Sequence, residues 1–291
     1  MFKKLTVVVT ASLASLAAAQ SAPQDGLVDV GGAQVYYKVQ GSGTPMLLIH
    51  GFPLNGMYFN DNVAALSKYY RVVTIDLRGF GRSTTTPGQP GSVRTYANDA
   101  LAVMDKLGID KAVIGGMSMG GQITLEMYRA APQRFLGMLL IATTANPASI
   151  TEQYVWRGVS EQATRNGVNS IVPELVKDMI TGRTRMNRQQ ERLFVEGLIK
   201  QASLPAVQQG AQALAGRGDL LPVARTVSVP TLIVVGQEDT VYPVVLSVKL
   251  QQQIKGSRLV VIPNAAHAVN SEQAAAFNAA VLNWARSVNL R

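Results

Sequence analysis

The chain has 291 residues, of which 47% are hydrophobic and 15% are charged. This composition is typical of a folded globular protein and excludes an intrinsically disordered one. The absence of cysteine excludes disulfides, thiolate catalysis and cysteine-ligated metal sites. The formal net charge is +9, but the basic residues are scattered and form no stripe or binding motif, so we expect no nucleic-acid partner.

Residues 1–19 have the three parts of a secretory signal peptide. Lys3 and Lys4 supply a positive start, residues 5–16 are largely apolar, and residues 17–19 are alanines that resemble a cleavage site. The apolar segment is short for a membrane-spanning helix and is diluted by serine and threonine, although an uncleaved anchor is the alternative. We therefore expect an exported protein, periplasmic or extracellular, with no stable membrane insertion after the signal is removed.

Residues 20–26 are predicted to form a linker, and eight strands are predicted after it. The second strand alternates apolar and polar residues, and the first is its expected antiparallel partner in a hairpin. The later strands are apolar runs, typical of strands buried on both faces of a sheet. The predicted strands are Leu27–Val30, Gln34–Val39, Met46–Ile49, Arg71–Ile75, Lys111–Gly115, Phe135–Ile141, Thr231–Val235 and Arg258–Ile262.

Predicted amphipathic helices separate most of these strands. They cover Tyr58–Lys68, Thr95–Leu107, Gln122–Ala131, Pro243–Ile254 and a final segment from Ser271. Residues 145–222 contain no predicted strand, and their helical segments are Ile150–Asn166, Val172–Ile180, Arg188–Gln201 and Pro205–Ala215. The alternation predicts an α/β fold with a mostly parallel sheet and helices on both faces, formed by residues 27–144 and 223–291. The helical block at 145–222 interrupts it.

Ser118 lies in a Gly-Met-Ser-Met-Gly segment between a predicted buried strand and a predicted helix. A Gly-x-Ser-x-Gly turn in that context is typical of a nucleophile elbow, and glycines at 116 and 120 permit close approach of the backbone. A serine hydroxyl needs a base to become a nucleophile, and the chain contains two histidines, His50 and His267. We predict that His267 is the base, because it and Ser118 both follow buried strands and therefore lie at one edge of the sheet.

A carboxylate is expected to orient that histidine and to stabilise its charged form. Asp239 is the predicted residue, because it follows a buried strand and gives the chain order serine, aspartate, histidine of the hydrolase elbow motif. Glu238 and Asp76 are the rival carboxylates. We expect Asp76 instead to anchor its own loop by pairing with Arg78 or Arg82.

An oxyanion that develops during attack by serine needs preorganised hydrogen-bond donors. The backbone N–H of Met119 follows the nucleophile directly and is the first predicted donor. The second is the N–H of Phe52, in the loop that follows the strand ending at Ile49. His50 is interpreted as shaping that loop and not as the base.

Together these segments resemble the α/β-hydrolase fold superfamily over about residues 27–289. The matching segments, in chain order, are His50–Pro53, Asp76–Ser83, Gly116–Gly121, Gly236–Asp239 and His267. The resemblance implies a mostly parallel eight-stranded sheet and makes the helical block at 145–222 a cap. It is strongest to 3-oxoadipate enol-lactonases, small carboxylesterases and cofactor-free haloperoxidase-like perhydrolases. Serine at the elbow argues against haloalkane dehalogenases and soluble epoxide hydrolases, which resemble this chain but carry aspartate there.

The predicted function is that of a serine hydrolase that cleaves a carboxylic ester, a lactone or a similar small acyl substrate. An acyl-enzyme would form on Ser118, with no metal and no organic cofactor required. Perhydrolysis and C–C bond hydrolysis by the same three residues are the alternatives. A non-catalytic binding protein on the same scaffold is a remote alternative, because the sequence offers a residue for every catalytic role.

Substrate contacts are predicted at residues near the expected active-site edge and on the apolar faces of the cap helices. Most apolar residues at helical spacing belong to a core, so packing is the favoured role for each cap residue and substrate contact is the alternative. The predicted contacts are Phe52, Met119, Phe59, Trp156 and Met179.

Overall fold

The computed structural model of the protein describes residues 24–290. The predicted signal peptide and residues 20–23 of the predicted linker lie outside the described residues. Within residues 24–290, no helix has both the length and the apolar character needed to cross a membrane.

Eight strands form one sheet in the order β1-β2-β4-β3-β5-β6-β7-β8. They are β1 (Gln24–Asp29), β2 (Gln34–Gln40), β3 (Thr44–Ile49), β4 (Tyr70–Ile75), β5 (Ala112–Met117), β6 (Phe135–Ile141), β7 (Thr231–Gly236) and β8 (Arg258–Ile262). β1 and β2 pair antiparallel, β2 joins β4 antiparallel, and every later pair is parallel. The predicted mostly parallel, eight-stranded α/β sheet is confirmed.

The first strand begins earlier than the sequence predicts. Residues 24–26, predicted to belong to a linker, pair with Val39, Lys38 and Tyr37 of β2. Their side chains are polar, small or exposed, so no apolar pattern marks them as a strand. An edge strand needs only backbone pairing with its neighbour, and for this reason the pattern of side chains does not reveal it.

Twelve α-helices accompany the sheet within the described residues. They are α1 (Asn60–Leu66), α2 (Val93–Lys106), α3 (Met119–Ala130), α4 (Ile150–Asn166), α5 (Val172–Met179), α6 (Gly182–Asn187), α7 (Gln189–Lys200), α8 (Leu204–Ala215), α9 (Leu221–Thr226), α10 (Val244–Gln253), α11 (Val269–Glu272) and α12 (Ala274–Ser287). Helix α1 packs against α12, and α2 packs against α3. β5 and β7 are buried at every residue, as strands covered on both faces of a sheet are.

The segment between β6 and β7 is helical, in agreement with the pattern of residues 145–222. Its longest helix, α4, begins with a capping box in which the Ser149 hydroxyl and the Glu152 carboxylate each accept the other residue's backbone N–H. The short helices α6 and α9 are not predicted by the sequence, because six residues are too few to show an apolar period.

Candidate active site

Ser118 occupies a sharp turn between β5 and α3. Its backbone has φ 56° and ψ −118°, a conformation that residues with a side chain rarely adopt. Two glycines make the turn possible: a Cβ on Gly116 would lie 2.1 Å from the carbonyl carbon of Gly120, and one on Gly120 would lie 2.2 Å from the oxygen of Ile49. The Ser118 N–H donates to the oxygen of Ile141 at 2.8 Å and ties the turn to β6. This is the geometry that the glycine spacing predicts for a nucleophile elbow.

His267 and Asp239 are brought together at the carboxyl ends of β7 and β8. The Nδ1 atom of His267 lies 2.9 Å from Oδ2 of Asp239, and both side chains are buried. The other carboxylate oxygen, Oδ1, accepts the backbone N–H groups of Val241 and Tyr242, each at 2.9 Å. The carboxylate is therefore held in one orientation, and the ring of Tyr242 packs edge-on against the imidazole. Within residues 24–290, the Nε2 atom of His267 has no hydrogen-bond partner.

A cavity of about 250 Å³ contains both Ser118 and His267. Its wall is mostly apolar. Residues at the edge of the sheet, of α4 and of α5 form this wall. The lining residues are Phe52, Ser118, Ser149, Thr151, Glu152, Val155, Trp156, Leu175, Asp178, Met179, Thr240, Val241 and His267. The serine and the histidine predicted to act together thus share one small cavity beside the predicted cap.

Three of the predicted substrate contacts line this cavity and two do not. Phe52, Trp156 and Met179 are on its wall. The prediction for Phe59 is wrong: this side chain is fully buried in the core, where its ring packs edge-on against Tyr58. The side chain of Met119 is also fully buried and does not line the cavity, so its backbone N–H is the only group it could offer to a substrate.

The two predicted oxyanion donors are unused by the fold. Neither the N–H of Phe52 nor that of Met119 donates a hydrogen bond to any acceptor within residues 24–290. Met119 is the first residue of α3, where a helix has no intrahelical acceptor for its N–H groups. Phe52 lines the cavity. Both N–H groups are therefore available to a developing negative charge near Ser118.

The rival carboxylates have other partners. Asp76 is buried and accepts the backbone N–H groups of Gly56 at 2.7 Å and Arg82 at 2.8 Å. It anchors its loop as expected and pairs with Arg82, but through the backbone N–H of that residue and not through an arginine side chain. Arg78 instead forms a buried, two-pronged ion pair with Asp99 of α2, at 2.9 and 2.7 Å. Two backbone donors already satisfy Asp76, so the guanidinium of Arg78 pairs with Asp99, whose carboxylate has no other hydrogen-bond partner within residues 24–290.

Glu238, the neighbour of Asp239, is not among the residues that line the cavity. Its carboxylate forms an exposed ion pair with Arg183 at 3.3 Å. Asp239 is therefore the carboxylate of the three that meets His267, in agreement with the prediction from chain order.

His50 shapes the loop that carries Phe52. The ring is fully buried, with Nδ1 lying 2.8 Å from the oxygen of Gly51 and Nε2 accepting the N–H of Leu77 at 2.9 Å. A carbonyl can only accept, so Nδ1 carries the proton and the imidazole is neutral. Burial lowers the pKa of His50, which favours the same neutral form.

Acidification is expected to destabilise the protein partly through His50. The pKa of His50 is held below the usual 6.5 by burial, so below about pH 6.5 the unfolded chain binds a proton that the folded chain does not. The free energy of unfolding should then fall as the pH drops, by at most about 1.4 kcal/mol per pH unit from this group. Urea unfolding between about pH 5 and about pH 7.5 measures the slope.

The matched control is His50→Gln, whose amide can still accept the N–H of Leu77 but does not titrate. Its stability should fall less steeply over the same pH range, since every other titrating group is retained. Parallel curves for the two proteins would contradict a neutral, buried His50.

Glu272 is a site residue that the sequence does not predict. Its buried carboxylate accepts the N–H of Ala266 at 2.6 Å, and the N–H and hydroxyl of Thr181 at 2.9 and 3.0 Å. It thereby connects the loop of His267 to the segment between α5 and α6. A glutamate near the start of a helix is normally exposed and is favoured there by the helix dipole. The local sequence therefore gives no signal of the buried, bridging role of Glu272.

The comparisons with known proteins define the family. The family model described as alpha/beta hydrolase fold matches residues 44–274, and the chain therefore belongs to the α/β-hydrolase fold family. The resemblance carried by the sequence motifs is confirmed, and the protein is a hydrolase of this fold.

Individual relatives have several activities. A 3-oxoadipate enol-lactonase of Acinetobacter baylyi is 31% identical over 224 residues, which cover 75% of this chain and 79% of that protein. A non-heme haloperoxidase of Rhodococcus erythropolis is 27% identical over 270 residues, covering 88% of this chain and 97% of that protein. The solved structure of a thermophilic, malate-bound esterase of Thermogutta terrifontis has a TM-score of 0.86 and 31% identity, covering 91% of this chain and 99% of that one.

Proposed function

We propose that this hydrolase cleaves a carboxylic ester, a lactone or a similar small acyl substrate through an acyl-enzyme on Ser118. One observation carries the proposal: Ser118 on its strained turn and His267 paired with Asp239 line the same cavity. A nucleophile, a base and a residue that orients the base are the groups that acyl transfer to serine requires. Relatives named as an esterase and as an enol-lactonase support this reaction class.

The reaction follows from the positions of these groups. His267 takes the proton of the Ser118 hydroxyl as its oxygen attacks the carbonyl carbon, and Asp239 stabilises the resulting imidazolium. The N–H groups of Phe52 and Met119 hold the negative charge on the carbonyl oxygen. His267 then protonates the leaving alcohol. Water, deprotonated by His267, attacks the acyl-enzyme and releases the acid.

The cavity indicates a small substrate. At about 250 Å³ it lies slightly below the range of about 300–1,000 Å³ usual for sites that bind drug-sized ligands. Phe52, Trp156 and Met179 make much of its wall apolar, which suits a short acyl or alcohol group. The burial of Ser118 and His267 also limits the access of bulk water to the carbonyl, which strengthens the hydrogen bonds to the oxyanion.

Perhydrolysis is the second candidate, supported by the relative named as a haloperoxidase. In that reaction hydrogen peroxide replaces water, attacks the same acyl-enzyme and releases a peracid. Parallel assays of acid and of peracid formation, with and without peroxide, distinguish the two fates of the acyl group.

Labelling with a fluorophosphonate tests the nucleophile directly, since this reagent reacts with activated serines. The adduct is expected on the tryptic peptide 112–129, which contains Ser118 as its single serine. Ser149 lines the same cavity outside the elbow, so Ser149→Ala is the matched control and should label as the wild type does. An adduct on Ser149, or none on the peptide, would contradict the proposal.

A further inference from the structure

The cavity beside Ser118 has an acidic wall in a basic protein. The whole chain carries a formal charge of +9, yet the charged residues that line the cavity are Glu152 and Asp178, with no lysine or arginine among them. Scattered surface lysines and arginines are screened by solvent and salt, whereas charged groups on the wall of the cavity act on a bound substrate at short range. A substrate in the cavity therefore experiences mainly the electrostatic field of these two carboxylates, and not that of the net charge of the protein.

The two carboxylates differ in how the protein compensates them. Glu152 accepts a hydrogen bond from the buried guanidinium of Arg217 at 2.9 Å and another from the N–H of Ser149 at 3.0 Å. Its charge is thus largely neutralised by the protein itself. Asp178 has no hydrogen bond and no ion pair with any residue in the range 24–290. The adjacent Lys177 pairs with Glu174 on the exposed side of α5, at 3.1 Å.

Asp178 is half-buried and faces the same space as Ser118 and His267. Burial raises the pKa of its carboxyl group, because the charged form has lost hydration and has gained no hydrogen-bond donor in return. The nearby charges of Glu174 and Asp239 raise this pKa further, whereas His267 and Lys177 lower it in part. A carboxylate in this condition is stabilised by a cation and destabilised by a second anion.

We propose that Asp178 makes the cavity selective for charge: esters with a cationic alcohol or acyl group are preferred, neutral ones come next and anionic ones are rejected. The proposal rests on the ester hydrolysis proposed above and deepens it. Phe52 and Trp156 add to the preference, since both rings line the cavity and aromatic faces attract alkylammonium groups. Asp178 is thus a specificity-determining residue for an ammonium-bearing ester.

Three acetate esters of similar shape test the selectivity. Acetylcholine carries a cation, 3,3-dimethylbutyl acetate is its neutral isostere, and 3-acetoxypropane-1-sulfonate carries an anion. We expect kcat/KM to fall about tenfold from the cation to the neutral ester and about tenfold again to the anion, at low salt and a pH that keeps the carboxylates ionised. The result that overturns the proposal is an anionic ester hydrolysed as well as the neutral one.

Asp178→Asn is the decisive variant, because it keeps the shape of the side chain and removes its charge. Its readout is the ratio of kcat/KM between charged and neutral esters, which a general loss of activity or of folded protein does not change. In Asp178→Asn these ratios should approach one. In the control variant Glu174→Gln, which removes one negative charge from the exposed side of α5, the ratios should stay as in the wild type. Unchanged ratios in Asp178→Asn would overturn the proposal.

Binding separates this proposal from the proposed function. Calorimetry of choline and of 3,3-dimethylbutan-1-ol requires no turnover, so it reports selectivity even if none of the three esters is hydrolysed. We expect choline to bind about tenfold more tightly than the neutral alcohol, and Asp178→Asn to remove the difference. Equal affinities in the wild type would overturn the charge selectivity, whereas selective binding without turnover would overturn ester hydrolysis alone.

Discussion

Replacement of Ser118 by alanine is expected to reduce ester turnover by about 10⁵-fold to 10⁶-fold, since the nucleophile is lost and the acyl-enzyme cannot form. The fold should be retained, because alanine keeps the Cβ and, within residues 24–290, the Ser118 hydroxyl caps no backbone N–H of α3. Hydrolysis of p-nitrophenyl acetate and butyrate measures the loss. Turnover within about tenfold of the wild type would exclude the proposed mechanism.

Ser118→Gly gives the same test a stability readout. The backbone at φ 56° and ψ −118° is costly for any residue with a Cβ and is accessible to glycine. We therefore expect the glycine variant to be inactive like the alanine variant, yet to unfold at higher urea, by about 1 kcal/mol or more relative to alanine. If Ser118→Gly were no more stable than Ser118→Ala, the backbone of the turn would not be strained, in contradiction to the proposed nucleophile elbow.

Replacement of Asp239 by asparagine is expected to lower kcat by about 10⁴-fold. Oδ1 of Asp239 accepts two backbone N–H groups, from Val241 and Tyr242, so the amide oxygen of asparagine must take that place. The amide NH₂ then faces Nδ1 of His267, which has to accept and therefore loses its proton. The proton moves to Nε2, where the histidine can no longer accept from Ser118.

Glu238→Gln is the matched control for that variant, since it removes a charge one residue away and outside the cavity. Its activity should remain close to that of the wild type, because the Glu238 carboxylate pairs with exposed Arg183, whereas His267 pairs with Asp239. A severe loss of activity in Glu238→Gln combined with a mild one in Asp239→Asn would show that Glu238, and not Asp239, orients His267.

The elbow at Ser118 is predictable from the sequence because it obeys local rules. Gly116 and Gly120 stand at positions where a Cβ would collide with backbone atoms, and this steric requirement acts between residues that are close in the chain or in adjacent strands. The apolar runs of β5 and β7 are equally predictable, because a strand covered on both faces admits few polar residues. Edge strand β1 lacks that constraint, so the sequence does not show where it starts.

Pairings over long separations cannot be predicted in the same way. Arg78 has a nearby acid at Asp76, yet it pairs with Asp99, because backbone N–H groups already occupy Asp76. Phe59 and Trp156 look alike as apolar residues near the expected site. Packing buries the first in the core and puts the second on the wall of the cavity.

The sequence by itself therefore determined the α/β sheet, the elbow at Ser118 and the order in which Asp239 and His267 follow it. These features depend on periodicity, on turn sterics and on the rule that parallel strands end at one edge. Only the tertiary structure decided that Asp178 lines the cavity without a hydrogen-bond or ion-pair partner among residues 24–290, and that Glu272 ties the loop of His267 to the segment between α5 and α6. Those facts depend on how helices that are distant in the chain pack together. The position of a single side chain on the wall of a cavity produces no periodic pattern in the sequence.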